Sequence, residues 1–373
     1  MIGITGGQGF LARHLRNRLH CAVRRPFLLA DRETFASAAA LDQFTASCDR
    51  IVHLAGVNRA DPAEVEAGNE GLARQLAASI QRTGATRHVV FANSVHLSRD
   101  TAYGRGKKKA AEVLAAWAET TGGCFTDLVV PNVFGEGGRP YYNSFVATFC
   151  DQITQDRTLS VNSDDPVELI HAQDVAAALI AALDEPPAPG GTVRRQLEGR
   201  QTTVPEVARL LTDMHGRYAE DRSLPDLRDP FVARLFNTYR FALFGRRPVA
   251  EVRRHVDPRG WLVEQVRTLH PGQGYISGTK PGITRGNHLH LRKFERFLVV
   301  AGEADISLRR LFETEITSFK VAGDKPVYVD IPTFHTHSIT NIGQTELITV
   351  FWSSEWLDPD DTDTYPEPVV RPE

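Results

Sequence analysis

The first 185 residues alternate short apolar runs with segments of helical period, and that alternation restricts the chain more than any other feature. MIGIT, PFLLA, RIVHLAG, RHVVFAN and FTDLVVP read as buried strands. GFLARHLRNRL, NEGLARQLAASIQRT and KKKAAEVLAAWAETT, lying between them, read as helices. Strands that alternate with helices build a parallel sheet covered on both faces. Segment 187–195 (PAPGGTVRR) reads as a turn-rich break, and VPEVARLLTDMHG as a further helix that starts after Thr203, an N-cap type of residue.

From about Arg246 the pattern changes to short β-rich runs such as RFLVVAG, ADISLRRL, VYVDIP and LITVFW, separated by Gly and Pro. No long helical period is left, which predicts an all-β barrel or sandwich. The expected organisation is therefore an α/β domain over residues 1–245 and a β domain over residues 246–373, with FGRRPVAE as the linker. The acidic, Pro-rich tail LDPDDTDTYPEPVVRPE is expected to lie over the surface.

Composition removes several function classes. A net charge of −3 leaves no basic footprint for nucleic acid. No apolar run approaches the roughly 18 residues a membrane helix needs, and MIGITGGQGF does not read as a signal peptide. Cys21, Cys48, Cys124 and Cys150 are scattered without a C-x-x-C pair, as reduced thiols of a cytoplasmic protein are.

The first strand runs into Thr5-Gly6-Gly7-Gln8-Gly9-Phe10-Leu11-Ala12 and then a helix. Gly6 suits the tight turn, Gly9 the close approach of a pyrophosphate, and Ala12 the helix–strand packing. The phosphates would rest on the helix N-terminus at Gly9, Phe10 and Leu11, where free N–H groups favour negative charge. At the end of the second strand, Asp31 suits a ribose 2′-hydroxyl. Arg32, helped by Arg24 or Arg25, suits a 2′-phosphate, so both NADH and NADPH stay open. Leu54, Ala55 and Gly56 follow the third strand and would pass under the adenine-side ribose.

Tyr103 and Lys107 form Y-x-x-x-K, which places both side chains on one helical face. Lys107 is then expected to lower the phenol's pKa and to reach the nicotinamide ribose, while Ser94, at a strand end, binds a carbonyl. Such a triplet protonates a ketone oxygen as hydride reaches its carbon. On these residues, and on Asn69, Pro131-Asn132-Val133-Phe134-Gly135 and Glu168-Leu169-Ile170-His171 before Asp174, the first half resembles an extended short-chain dehydrogenase/reductase acting on nucleotide sugars. The resemblance implies a Rossmann fold, with Asn132, Asn143, Ser144 and His171 near the sugar nucleotide. Ser94 and Tyr103 stand closer together than is usual in that family.

In the second half, His288-Leu-His290, Glu295 and Gly302 precede Pro332-Thr-Phe-His-Thr-His337 and Asn341. Residues two apart on a strand share a face, and three imidazoles with a carboxylate suit Zn²⁺ or another divalent metal. The pattern resembles the two-part cupin signature, with Phe334 where a turn glycine is usual. Arg285-Gly286-Asn287-His288 also resembles the sugar 3,5-epimerase cupins, in which His288 would be a base instead of a ligand. Lys280 is a candidate for added positive charge beside an enolate.

The whole chain, with GNHLH, KFERFLVVAG and LDPDDTDTY in its second part, resembles the bifunctional capsular polysaccharide enzymes that make UDP-2-acetamido-2,6-dideoxy-L-talose. The resemblance implies a homodimer, a UDP-sugar substrate, inversion of C3 by the cupin and reduction of C4 with NADPH by the first domain. A single-function enzyme whose cupin only binds or dimerises is the competing expectation, followed by a cofactor-binding regulator.

Overall fold

The computed structural model describes residues 1–161, 163–220, 224–251, 255–257, 260–262, 272–355 and 358–371. In chain order its first part comprises β1 (Ile2–Thr5), α1 (Phe10–Arg18), β2 (Phe27–Ala30), α2 (Arg32–Ala36), α3 (Ala38–Ala46), β3 (Arg50–His53), α4 (Pro62–Thr83), β4 (His88–Ser94), α5 (Ala102–Thr121), β5 (Cys124–Val130), β6 (Asn132–Phe134), α6 (Phe145–Ile153), β7 (Pro166–His171), α7 (Ala172–Asp184), β8 (Thr192–Gln196) and β9 (Arg200–Thr203). Then follow α8 (Val204–Glu220), α9 (Pro230–Phe244), β10 (Val249–Glu251), β11 (His255–Asp257), β12 (Gly260–Leu262), β13 (Gln273–Thr279), β14 (Thr284–Leu289), β15 (Glu295–Ala301), β16 (Glu303–Arg310), β17 (Ile316–Ala322), β18 (Val327–Ile331), β19 (His335–Asn341), β20 (Leu347–Ser353) and β21 (Tyr365–Pro366).

The expected parallel sheet forms, in the order β2-β1-β3-β4-β5-β8. Its strands are apolar on both faces because helices cover both. Val52 and Val90 pack with Leu15 of α1 and Leu179 of α7. Their neighbours Ile51, Val89 and Phe91 pack with Leu76 of α4 and Leu114 of α5 on the other face. The chain leaves β1 for β2 on one side and returns to β3 on the other. This reversal opens a crevice at the carboxyl ends of β1 and β3, where α/β sheets bind ligands. The 187–195 segment is not all turn: Thr192–Gln196 is the edge strand β8. Its residues alternate exposed and half-buried, so no apolar run marks it in the sequence.

Packing divides the chain into two units, residues 1–134, 141–144 and 165–203 against residues 135–140, 145–164 and 204–373. The division therefore differs from the expected 245/246 boundary, because α6, α8 and α9 pack with the β-rich unit. The physical reason is a buried polar cluster. Arg240 of α9 and Arg296 of β15 flank Asp330 of β18 at 2.7 and 2.8 Å, and Tyr218 of α8 hydrogen-bonds the same carboxylate. A charge group this deeply buried cannot part without leaving ions stranded.

The second unit carries two antiparallel five-stranded sheets, β10-β18-β15-β20-β13 and β17-β16-β19-β14-β21. Phe297, Val329 and Leu347 of the first meet Ile306, Leu308 and Ile339 of the second in one core. The tail is not a loose cover. Val369 is buried, β21 pairs with β14, and the buried Arg309 binds Glu367 and the Val369 carbonyl. Among the described residues no helix is long and apolar enough to cross a membrane.

Candidate active sites

At the end of β1 the chain turns at Gly6 with φ +65°, where a Cβ would lie 2.8 Å from the Ala55 nitrogen. Only glycine fits. Gly9 then caps α1 with no side-chain acceptor, so the helix's first N–H groups face outward beside Phe10 and Leu11. Thr5 ties this turn to the neighbouring strand. Its buried hydroxyl accepts from the Leu54 and Ala55 N–H groups, both at 3.1 Å, and lies 2.7 Å from His53 Nδ1. Burial pushes the His53 imidazole down to about 3, so the ring is neutral. Gly56 lies against Asn69, whose amide spans Val57 and Val65.

The residues at the end of β2 are brought together only in part. Asp31 caps α2 through Thr34, with its carboxylate 3.0 Å from the Thr34 nitrogen, and Arg32 beside it is exposed. Arg24 and Arg25 do not join them. They precede β2 at the opposite end of the strand, about 13 Å away by strand rise, and Arg25 binds Asp184 at 2.5 Å.

Ser94 ends β4, and Thr101 caps α5 by accepting from Gly104 at 3.1 Å, which fixes where that helix starts. The result brings the Ser94 hydroxyl, which accepts the His96 N–H at 3.2 Å, near enough to the Tyr103 phenol to influence its pKa. Lys107, one turn on, is buried on the same face. The expected depression of the phenol is not what the structure has: burial pushes Tyr103 up to about 12, against a smaller opposing effect of Ser94. The Lys107 ammonium is turned to the Ala92 carbonyl at 2.6 Å and lies 4.2 Å from the centre of the Phe91 ring. Its own pKa falls to about 8, because burial outweighs the pull of Asp127.

Asn132 is bonded to the Glu168 carbonyl at 3.3 Å, and its side chain acts on the half-buried His96, which sequence patterns gave no reason to select. Asn143 is exposed and Ser144 half-buried in the turn before α6. His171 is buried and caps α7, accepting from the Gln173 nitrogen at 3.3 Å, with its ring against Phe134.

In the β-rich unit His288, His290, Glu295 and His337 converge. One ligand atom from each lies within 4.8 Å of the others. Glu295 Oε2 is 3.2 Å from His290 Nε2 and 3.1 Å from His337 Nε2. A bulge makes this possible. Gly286 at φ +99° and Asn287 at φ +56° shift the register of β14 so that His288 faces His337. A Cβ at Gly286 would sit 2.7 Å from the His337 carbonyl.

These residues fit a metal. The Nε2 atoms of His290 and His337 are buried and make no hydrogen bond, as lone pairs aimed at a common centre would. Their Nδ1 protons go to backbone carbonyls, of Asp363 at 2.7 Å and of His335 at 3.4 Å.

Phe334 takes up the glycine conformation itself, at φ +63°, with its ring buried. Lys280 is not brought to the cluster. It is exposed in the turn before β14, and the run from Thr284 to His288 alone spans about 13 Å. Asp363 was not singled out by any motif. Its carboxylate accepts the N–H groups of Leu291, Arg292 and Lys293 at 3.1, 3.0 and 2.9 Å, which organises the loop between His290 and Glu295.

Known proteins resemble the chain along both parts. Residues 2–193 match the NAD dependent epimerase/dehydratase family, and residues 255–365 the polysaccharide biosynthesis C-terminal domain. A UDP-2-acetamido-2,6-beta-L-arabino-hexul-4-ose reductase of Pseudomonas aeruginosa is 32% identical over 97% of each chain. The crystal structure of the capsular polysaccharide assembling protein CapF from Staphylococcus aureus superposes with a TM-score of 0.64 at 32% identity, covering 98% of this chain and 99% of that one. The UDP-N-acetylglucosamine 4-epimerase of Bacillus cereus shares the fold of the first part, at 19% identity and a TM-score of 0.52 over 60% of this chain and 83% of that one. With a nucleotide turn, a Ser–Tyr–Lys triplet and a cupin-like barrel in one chain, this protein belongs to the NAD dependent epimerase/dehydratase family, among the members that resemble the bifunctional capsular sugar enzymes.

Proposed function

We propose that this protein is a bifunctional nucleotide-sugar enzyme in the synthesis of a capsular or related polysaccharide. The β-rich unit inverts C3 of a UDP-4-keto-6-deoxy-HexNAc, and the first unit reduces the C4 ketone with NADPH. The observation that carries the reading is the Ser94–Tyr103 hydroxyl pair beside a buried Lys107, next to the crevice at the ends of β1 and β3. A relative matched along almost the whole chain carries the name of a hexul-4-ose reductase.

The chain's own residues account for the proton chemistry. A phenol near 12 keeps its proton at neutral pH, so Tyr103 delivers it to the ketone oxygen while Ser94 orients that oxygen. Bound nicotinamide would supply the hydride. Lys107, freed from Ala92, would hold the nicotinamide ribose. Gly6, Gly9, Phe10 and Leu11 receive the pyrophosphate, and Leu54, Ala55 and Gly56 the adenine side. Asp31 is engaged in capping α2, which leaves exposed Arg32 for a 2′-phosphate and favours NADPH over NADH. Asn132, Asn143 and Ser144 would meet the sugar nucleotide. His171 is left out because its ring caps α7.

His288, His290, Glu295 and His337 would hold Zn²⁺ or a similar ion. Such an ion supplies a Lewis acid for the sugar's keto oxygen and so makes the C3 proton more acidic. The protein would act as a cytoplasmic homodimer, to be checked by light scattering.

The test is NMR of the 4-keto sugar nucleotide in D₂O, first without cofactor and then with NADPH. Deuterium should enter at C3 before any reduction, and C4 reduction should follow when NADPH is added. Reduction of substrate that has not exchanged at C3 would refute the two-step order.

A further inference from the structure

Among the described residues, the mechanism above leaves unused the one buried carboxylate of the first unit. Asp127 of β5 is 1% exposed and stands opposite Phe91 in the sheet. Its Oδ1 accepts from Asn93 Nδ2 at 2.8 Å, and Oδ2 from Arg194 Nε at 2.7 Å. Asn93 in turn accepts the Ser94 N–H at 2.9 Å. An unbroken set of hydrogen bonds therefore runs from Asp127 through Asn93 to the backbone of Ser94.

The same residue stands beside the other end of the triplet: Asp127 is paired in the sheet with Phe91, and the Lys107 ammonium lies 4.2 Å from the centre of the Phe91 ring. Lys107 is buried, and the partner of its ammonium is a neutral carbonyl, Ala92. The charged and titratable groups around it can be named by element. His53 of β3 is neutral, and Tyr103 on its own helix is protonated. Glu66 of α4 is engaged with Arg105 and Lys109. Asp127 is the anion that acts on Lys107 from β5, and Arg194 binds that anion with a side chain that is 57% exposed. A solvated partner offsets a buried charge less than a buried one would.

We propose that Asp127 is a positioning residue for the reductase, holding Ser94 in place through Asn93 and supplying the buried counter-charge that keeps Lys107 cationic. The proposal rests on the reductase reading above. It assigns a role to a residue that touches neither substrate nor cofactor.

Asp127→Asn separates the two parts of the role. Its amide oxygen can still accept from Asn93, so Ser94 stays in place while the charge is lost. Lys107 needs to be charged for turnover, so removing the anion moves the alkaline limb of kcat/KM for NADPH-dependent reduction to lower pH, by about one unit. Turnover at pH 6 stays near wild type, and at pH 8.5 it falls by up to about tenfold. Asp127→Glu restores the limb. Asp127→Ala adds a loss that is the same at every pH. A second measurement is independent of turnover: the Lys107 side-chain carbon signal, assigned with Lys107→Met in lysine-labelled protein, should titrate about one unit lower in Asp127→Asn. A wild-type profile and titration in Asp127→Asn would overturn the proposal. So would a uniform loss that accompanies a lower melting temperature and is not rescued by Glu. Wild-type protein that does not oxidise NADPH with any 4-keto sugar nucleotide would instead remove the reductase reading, and this proposal with it.

Discussion

The backbone carbonyl of Asp363 lies 2.7 Å from His290 Nδ1, so a residue ten from the C-terminus sets the tautomer of a residue in the candidate metal cluster. With its proton on Nδ1, His290 presents a lone pair at Nε2, the atom 3.2 Å from Glu295. The Asp363 carboxylate holds that carbonyl in register by binding three consecutive N–H groups, of Leu291, Arg292 and Lys293. Outer partners of this kind typically contribute 10- to 100-fold in metal affinity. Asp363→Ala should therefore weaken Zn²⁺ binding by about that factor, measured by competition with a chromophoric chelator. Reduction of an already epimerised substrate should be unchanged. Equal affinity in the two proteins would mean that the tail contact is incidental to the metal.

Tyr103 and Lys107 are expected to fail in different ways. With the phenol as the proposed proton donor, Tyr103→Phe should lower kcat for reduction by about 10²- to 10⁴-fold and leave the KM for NADPH close to wild type. Lys107→Met should raise the KM for NADPH as well as lower kcat, because the ammonium is assigned to the ribose. Steady-state kinetics at pH 7 with both substrates varied separates the two. Neither change should touch C3 exchange in the absence of cofactor. Undiminished reduction by Tyr103→Phe would exclude the phenol as the acid.

Much of this architecture is legible in the chain, and what is not has identifiable physical causes. The five apolar runs become β1–β5 because a doubly covered parallel sheet needs strands that are apolar on both faces. His288, His290, Glu295 and His337 meet because spacing within two short motifs is local information. Edge strand β8 escapes notice, since an edge strand has no need of an apolar run. The 245/246 boundary is displaced by Arg240, Arg296 and Asp330, whose pairing joins positions 90 and 34 residues apart. Nothing local announces such a pairing. Lys280 looks close to His288 in sequence, but an antiparallel turn carries it to the far end of β14. Arg24 and Arg25 fail for the same reason at the start of β2. The Lys107 ammonium is turned to Ala92 because a free chain end of four carbons seeks the nearest acceptor when buried, which helical spacing alone does not reveal.

Thr5 offers a test of how the nucleotide crevice is held open. Its hydroxyl takes two N–H groups of the loop after β3, and its single proton goes to His53 Nδ1. Thr5→Val keeps the shape and leaves all three partners unpaired, His53 fully buried and Leu54 and Ala55 half-buried. The cost should be on the order of 2–4 kcal/mol, since each unpaired buried group typically costs 1–3 kcal/mol and some relaxation is available. The urea midpoint should fall accordingly. The KM for NADPH should rise several-fold, because Leu54 and Ala55 belong to the loop proposed to receive the adenine side of the cofactor. A midpoint within error of wild type would show that the hydroxyl is not the tie between β1 and β3.

His53 and His88 predict acid sensitivity from the first unit, and the direction follows from linkage. Burial holds His53 at about 3 and His88 at about 4, against 6.5 for a solvated imidazole. His53 also stacks on Phe91 at 5.5 Å, and His88 Nε2 is 2.9 Å from Thr126 Oγ1, so neither ring has room for a hydrated charge. Between pH 6.5 and these lower values the unfolded chain binds protons that the folded chain does not. Stability therefore falls as pH drops through that window and is regained above it. Each histidine contributes a loss of about 3 kcal/mol by pH 4, so the urea midpoint should drop steadily from pH 7 to pH 4.5. In His53→Gln the slope should be smaller, because the proton His53 takes up on unfolding is removed while His88, His96 and His335 still take up theirs. The comparison of slopes is the decisive measurement, since the Gln variant is expected to be less stable at pH 7 for the lost ring packing alone. Equal slopes in the two proteins would mean that His53 is already charged in the folded state, and the neutral imidazole assigned to the Thr5 contact would have to be abandoned.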